Sequence, residues 1–438
     1  MTAAAITPLD RLCSPYTGIV RNLQTLLVAP DDARLARVLA SPAGTAGVIG
    51  ARDDHLDLSS GGGCSDDPEA ARAAAIAEVA ERYSGSCVPF GDLVLATAAE
   101  LGPEAVAPAS FALFCDRQHA HGGFRYVPFA DDTRIYWIRG TSLSDGEIVY
   151  LPAQLVFLVD ARSEEAPIGY ATSNGLACGG SWEEAVLAGL LELVERDAFM
   201  LTWYHRLSLP RIDWERHEGL ARFDARHLAA TGGRALVDLS PFHQVPVVLA
   251  TVRSHAHDGP ALSVGAAAAP TVETACRRAL AEAYSVRSWG KLLLDERRGR
   301  IYSSTFDDVV EFADHVHLHA MPRYRKLGAF LDASNELRRA EEIRQLDGDC
   351  ARDWIGAILR SLEAAGVAAY VVDVTAPDIA EAGLAVAKVV APALCALSVR
   401  HDCRFLGGHR IYRGALLAGL RDRAAREDEL NPDPHPFP

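Results

Sequence analysis

Gly175–Arg196 reads GLACGGSWEEAVLAGLLELVER, a glycine-rich stretch running into an amphipathic helix that carries Glu192, Glu195 and Arg196. Helix positions i and i+3 lie on one face, so Glu192 and Glu195 point the same way, with Arg196 beside them. A carboxylate pair held rigidly next to a glycine loop suits a divalent cation that phosphate oxygens also bind. A single ExxER is equally what a solvated helix face with internal ion pairs looks like.

A second copy changes that balance. Gly61–Arg82, GGGCSDDPEAARAAAIAEVAER, superimposes on the first stretch with Glu81 on Glu195; Gly61, Cys64, Glu69, Ala71, Ala74, Glu78 and Arg82 then meet their own residue type. A third, degraded copy is Gly265–Arg287, GAAAAPTVETACRRALAEAYSVR, where Glu273, Ala275 and Glu282 keep register and Ser285 stands at the place of Glu81. Three loop-plus-helix units of one design argue for a shared site. Glu78, Glu81, Glu192, Glu195 and Glu282 are also too many carboxylates to gather without cations, because like charges raise one another's pKa.

The chain has 438 residues, 49% of them hydrophobic, and a formal net charge of −15. That is ample material for a core, and the acidic balance argues against a nucleic-acid or anionic-membrane binder. No signal-peptide pattern opens the chain and no apolar run reaches about 18 residues, so a cytoplasmic protein without a membrane span is expected. The nine cysteines are scattered without a CxxC pair, which reads as reduced thiols. No GxSxG or GxxxxGK[ST] occurs, which leaves the usual serine-hydrolase and P-loop readings without footing.

Alternating or continuous apolar runs predict strands at Gly18–Ala29, Arg134–Arg139, Glu147–Leu151, Gln154–Asp160, Arg234–Asp238, Val245–Val252, Ala368–Val374 and Ala385–Val390, and Leu262–Ala268 delivers the chain into the third repeat helix. Besides the repeat helices, the pattern predicts helices at Asp31–Ala40, Asp308–His315, Asp332–Gln345, Trp354–Ala365 and Gly414–Glu429. Strands and helices in mixed order, with three βα-type repeats, predict an α+β (mixed α/β) single domain. His315, His317 and His319 alternate, and without cysteine or carboxylate partners at ligand spacing they read as surface residues, not a zinc site.

The glycine loop, the ExAxxAxxxExxER helix and the SNGLAxG approach (Ser173–Cys178 and onward) resemble the YcaO family, whose members bind ATP and magnesium through acidic helices. The resemblance runs from Asp57 to the C-terminus, which would make residues 1–56 an N-terminal segment and 57–438 the catalytic domain. It implies that Glu78, Glu81, Glu192 and Glu195 hold Mg2+. It likewise implies that Glu78, Glu81, Arg82, Glu184, Glu192, Glu195, Arg196, Glu282 and Arg287 contact ATP. The run containing Lys388 also matches, with a basic residue where the family commonly has one. Three positions depart from the pattern: Gly61–Gly63 lacks the family's loop lysine, Gly180 replaces an asparagine, and Ser285 replaces a glutamine.

At the C-terminus Pro432, Pro434, Pro436 and Pro438 alternate with Asp433, His435 and Phe437. Such alternation favours an extended, stiff backbone with little entropy left to lose. A C-terminal PxPxP is similar to that of the azoline-forming branch of the family, where the tail 431–438 enters the active site, and it implies a proton-accepting role for the carboxylate of Pro438. The resemblance thus implies an ATP-dependent cyclodehydratase of a ribosomal peptide natural-product pathway. It brings with it a precursor-peptide substrate, a leader-binding partner protein (ubiquitin-activating-enzyme-like or a related scaffold), a flavin dehydrogenase partner and a homodimeric state. A thioamide- or amidine-forming family enzyme and an ATP-binding accessory subunit are the alternatives.

Overall fold

In the computed structural model the described residues are 7–44, 60–158, 164–228, 232–254 and 259–438. The expected boundary between residues 56 and 57 lies outside them. The chain divides into two compact units. The first comprises Met1–Leu27, Ala36–Leu193 and Asp349–Ala393; the second comprises Val28–Leu35, Val194–Gly348 and Leu394–Pro438. With helices and several sheets in mixed order, the α+β class expected from the pattern is what is observed.

The first unit has two sheets. β1 (Val20–Thr25), β2 (Ala36–Pro42) and β3 (Gly61–Ser65) form an antiparallel three-stranded sheet. β4 (Val94–Ala96), β5 (Ile135–Ser142), β13 (Tyr370–Asp373), β14 (Ala385–Val390) and β7 (Leu176–Gly179) follow one another across the larger sheet, with β6 (Ile148–Pro152) paired to β5. Helix α1 (Pro68–Ser86) starts where the Asp67 carboxylate accepts the N–H of Glu69 and Pro68 occupies the first turn. Its buried Ala71, Ala75, Ile76, Val79 and Ala80 enter one core with Val38, Leu176 and Val386. The expected "glycine loop" is strand β3. A Cβ at Gly63 would overlap the carbonyl of Ala71, so glycine here is a requirement of close strand–helix packing, not of phosphate access.

The second unit is built on the sheet β11-β10-β9-β8-β12, comprising Ser263–Ala268, Val247–Arg253, Gly233–Asp238, Arg211–Asp213 and Leu337–Arg339. It is antiparallel except where β12 runs parallel to β8. β11 is buried along its whole length and β10 along all but its last residue, as their apolar sequences require. Helix α3 (Val272–Glu296), capped by the Thr271 hydroxyl, packs over them. The repeat therefore recurs as one strand–turn–helix design: β3–α1, β7–α2 (Trp182–Tyr204) and β11–α3.

Several expectations are corrected. Asp31–Ala40 is not a helix: from Ala36 the chain is β2, because pairing on both edges outweighs the helix propensity of its alanines and leucines. Gln154–Asp160 is not a strand: Ala153–Val156 makes one helical turn, and 159–160 lie outside the described residues. The charged segment 332–345 is not an α-helix: Leu337–Arg339 is β12, paired with β8, Ala340–Glu342 is a 3-10 turn, and Arg338 is ion-paired with Asp238 at 2.6 Å. The helix expected at Asp308–His315 is displaced to α4 (Phe312–Ala320), and the last helix, α6 (Arg410–Leu417), stops before Gly419 at φ +71°. Helix α5 (Ala351–Ala364) lies where expected. Among the described residues no helix is long and apolar enough to cross a membrane, and all nine cysteines are free.

Candidate functional site

Each motif glutamate accepts a backbone N–H, and the pattern repeats. The first carboxylate of each helix takes an N–H from its own strand segment: Gly62 to Glu78 (2.6 Å), Gly175 to Glu192 (3.0 Å), Ala266 to Glu282 (2.7 Å). The second takes one from the strand of the next repeat: Cys178 to Glu81 (2.9 Å) and Ala268 to Glu195 (3.1 Å). A carboxylate that accepts a backbone N–H is oriented by it.

In the first unit α1 contributes Glu78, Glu81 and Arg82. Arg82 pairs with Glu78 at 2.5 Å and donates to the carbonyl of Ser60. Glu81 retains some exposure, yet the protein packs densely around its carboxylate. Burial pushes it well above the usual carboxylate range, and the like charges of Glu78 and Glu192 add to the rise, against the hydrogen bond from Cys178. Near Glu192 the buried ammonium of Lys388 donates to the carbonyls of Thr172 (2.7 Å) and Asn174 (2.8 Å). Burial lowers its pKa to about 8, with Glu192 acting in the opposite sense. Glu184 folds back on the first turn of α2, accepting the N–H of Gly180 at 3.0 Å.

In the second unit, which takes α2 from Val194 onward, Glu195 pairs with Arg196 at 3.0 Å. The Arg196 guanidinium lies 4.2 Å from the ring centroid of Phe437, a cation–π distance. Arg287 is buried, with Asp32 and Asp31 at 3.5 and 3.8 Å. Next in α2 comes Asp197, fully buried. It accepts from Arg410 (2.7 Å twice), His243 (2.8 Å) and the N–H of Cys395 (2.9 Å). Burial would raise this carboxyl, but Arg410 and His243 more than offset it and hold it well below its usual range.

The C-terminal tail is an ordered, buried element. Asn431, His435 and Phe437 are buried and Pro438 is partly exposed. His315, His317 and His319, expected on the surface, are buried in α4. The alternation was misread because a helix face repeats every three to four residues: His315 and His319 share a face one turn apart, and both meet the tail. Those contacts and Asp197 are parts of the site that no sequence motif marks. The i, i+4 histidine pair was the one available signal.

Glu81 lies within the field of both Glu78 and Glu192. Among the described residues no group of three or more His, Cys, Asp or Glu side chains forms a self-contained metal centre. That donor set suits Mg2+, which is commonly held by one or two carboxylates with phosphate oxygens completing the shell. The crowding of Glu81 by Glu78 and Glu192 is the charge excess such a cation would neutralise.

A family model described as YcaO cyclodehydratase, ATP- and Mg2+-binding, matches residues 62–395. A protein of the tfuA 3' region of Rhizobium leguminosarum bv. trifolii is 36% identical over 150 residues, 34% of this chain and 33% of that protein. A Methanothermobacter thermautotrophicus protein is 26% identical across 75% of this chain and 80% of its own length. Among solved structures, a heterocyclase in complex with substrate and cofactor superimposes with TM-score 0.79 at 25% identity, covering 98% of this chain and 57% of that one. The heterocyclase TruD gives 0.66 at 26% identity, over 84% and 50%. The chain thus spans little more than half of each heterocyclase. YcaO from Methanopyrus kandleri, bound with AMPPCP and Mg2+, shares the fold at TM-score 0.60 and 21% identity, over 86% of each chain. The repeated acidic helices and the family match over most of the chain lead to one conclusion: this protein belongs to the ATP- and Mg2+-binding YcaO cyclodehydratase family.

Proposed function

We propose that the protein catalyses ATP-dependent cyclodehydration of cysteine, serine or threonine residues in a ribosomally made precursor peptide, giving thiazolines or oxazolines. The observation that carries the azoline reading is the tail: Phe437, next to the chain's last residue, packs against Arg196 of the second ExxER motif. In this reading Glu78, Glu81, Glu192 and Glu195 hold Mg2+. Arg82, Glu184, Arg196, Glu282 and Arg287 complete the contacts to ATP. Bound ATP supplies the phosphoryl group that turns the amide oxygen into a leaving group. The substrate hydroxyl or thiol adds to the preceding amide carbon, and the Pro438 carboxylate accepts the proton released. Phosphate then departs with the former amide oxygen and the ring nitrogen gives up its proton to solvent, leaving the C=N bond of the ring.

A leader-binding partner, ubiquitin-activating-enzyme-like or a related scaffold, belongs to this reading; a neighbour of the same fold is solved as the E. coli microcin synthetase McbBCD complex. Such a partner would raise the effective concentration of the precursor. A flavin dehydrogenase acting on the azolines, a homodimeric state and a cytoplasmic location complete the proposal.

The test combines the protein, its partner and the precursor with ATP and Mg2+, and compares water lost from the peptide with ADP formed. One water per ring and one ADP per water are expected. A requirement for added sulfide, with sulfur gained by the peptide, would instead identify a thioamide-forming enzyme. No ATP turnover in any combination would make the chain an accessory subunit.

A further inference from the structure

Alternating prolines remove half the N–H donors of the tail but none of its carbonyls, which still need partners once buried. In the second unit five consecutive carbonyls meet five different side chains. Arg404 donates to Asn431 (3.1 Å), the Trp203 indole to Asp433 (3.0 Å) and His319 Nε2 to Pro434 (2.8 Å), while His315 sets Nδ1 against the carbonyl of His435 (2.8 Å) and Nε2 against that of Val399 (3.0 Å). His401 hydrogen-bonds the backbone of Pro432. The His435 ring stacks on His315 with centroids 4.0 Å apart, and its Nε2 reaches the carbonyl of Ser398 at 2.8 Å. Beyond this seat Phe437 is fully buried between Phe199, at 4.8 Å, and Arg196.

The geometry points to a carbonyl-reading seat in which His315 and His319 are positioning residues for the C-terminal carboxylate. We propose that they fix the register of Asn431–Pro438 along α4, so that the chain's last residue is held at one place beside Arg196. A carbonyl accepts only, so His319 must carry its proton on Nε2. The two histidines stand one helical turn apart on the face that meets successive tail residues. A tail shifted by one residue would put a proline ring where His435 stacks on His315 and where Phe437 packs against Arg196, so the proline alternation and this seat specify the same register. This inference rests on the reading that the Pro438 carboxylate acts in cyclisation.

The test is a double-mutant cycle between the seat and the tail end, using the full chain with its partner and precursor. Removal of Phe437 and Pro438 tests the underlying reading. His319→Leu removes the donor to Pro434 and His319→Gln keeps one. Expected are a fall in kcat of roughly tenfold to a hundredfold for His319→Leu with KM for ATP unchanged, and near-parental kcat for His319→Gln. His319→Leu added to the truncation should cost nothing more. Hydrogen exchange at the Asp433, His435 and Phe437 amides should accelerate by roughly tenfold or more in His319→Leu, with α1 unaffected. Should His319→Leu be insoluble, His315→Leu carries the same comparison.

Harmless truncation would overturn the catalytic tail and the positioning role together. Crippling truncation with parental kcat in His319→Leu would overturn the seat alone. Defects that multiply in the double variant would also overturn it, because the histidine would then act on the fold and not through the tail.

Discussion

Replacing Glu81 by glutamine separates an anion kept for a cation from one kept for structure. The carboxylate of Glu81 sits one helical turn from that of Glu78, about 6 Å away, where two like charges repel by about 3 kcal/mol at an effective dielectric near 20. Glu78 is 31% exposed and paired with Arg82 at 2.5 Å, so about two thirds of that repulsion is offset. Burial of Glu81 and the field of Glu192 act in the same direction. Glutamine keeps an oxygen for the N–H of Cys178 and sheds the charge. Glu81→Gln without ligand should therefore gain about 1–2 kcal/mol, which for a unit of this size raises Tm by roughly 2–6 °C.

Mg2+ with ATP should act in the opposite sense. At a hundred times its Kd the complex stabilises the parent by about 2.7 kcal/mol, and that gain should be largely absent from the variant. The pH dependence has a defined sign as well. Glu81 keeps its proton in the folded state at a pH where the unfolded chain has lost it, so its contribution falls as pH rises above the ordinary carboxylate pKa. The ligand-free advantage of Glu81→Gln should grow over the same interval. Differential scanning fluorimetry with and without Mg2+ and ATP, at several pH values, reads all three effects. A variant that melts below the parent, or that gains as much from Mg2+ and ATP as the parent does, would refute the cation reading of Glu81.

Gly63→Ala should cost at least about 3 kcal/mol in a urea titration, because its Cβ meets the Ala71 carbonyl, whereas a Cβ at Gly62 finds nothing closer than 3.9 Å and should be tolerated. Equal effects would return this segment to the status of a ligand loop. His319 and His401 are each lowered by burial to about 3, so between pH 6.5 and 3 the unfolded chain binds more protons than the folded one. Stability should fall on acidification below about pH 6.5, at about 1.4 kcal/mol per pH unit for each histidine; a urea midpoint unchanged between pH 7 and 5 would count against their burial. Lys388→Met leaves the carbonyls of Thr172 and Asn174 without their donor and should cost about 2–5 kcal/mol, read by the same titration.

The repeats were legible because both of their periods are local. Helical spacing of alanine and glutamate marks α1, α2 and α3, and the apolar run of β10 marks a buried strand. Their glutamates were legible as a set because three copies agree. What failed was whatever tertiary contact decides. Residues 36–40 carry helix-forming side chains, yet lie between two strand partners. Residues 332–345 look like a charged helix, yet Arg338 finds a buried Asp238 a hundred positions away. The alternate histidines of α4 declare no partner in sequence, since theirs are backbone carbonyls at the far end of the chain. The tail's stiffness could be read from its prolines; the five side chains that meet its carbonyls could not.

The hydrogen-bond pattern also accounts for one departure that the sequence left unexplained. If the motif glutamates served only a nucleotide, the third copy would have the same use for a second carboxylate as the first two. Instead Glu81 and Glu195 each take an N–H from the strand of the following repeat, Cys178 and Ala268, which occupy equivalent places in their copies. Glu78, Glu192 and Glu282 take theirs from their own repeat. The second carboxylate thus belongs to the junction between successive repeats, and the third helix closes the series with no further copy after it. Ser285 stands where that junction residue is no longer required, while Glu282, which serves its own strand, is retained. Carboxylates fixed at junctions in this way are pre-aimed before any ligand arrives, so a metal bound there meets donors whose ordering cost was met in folding.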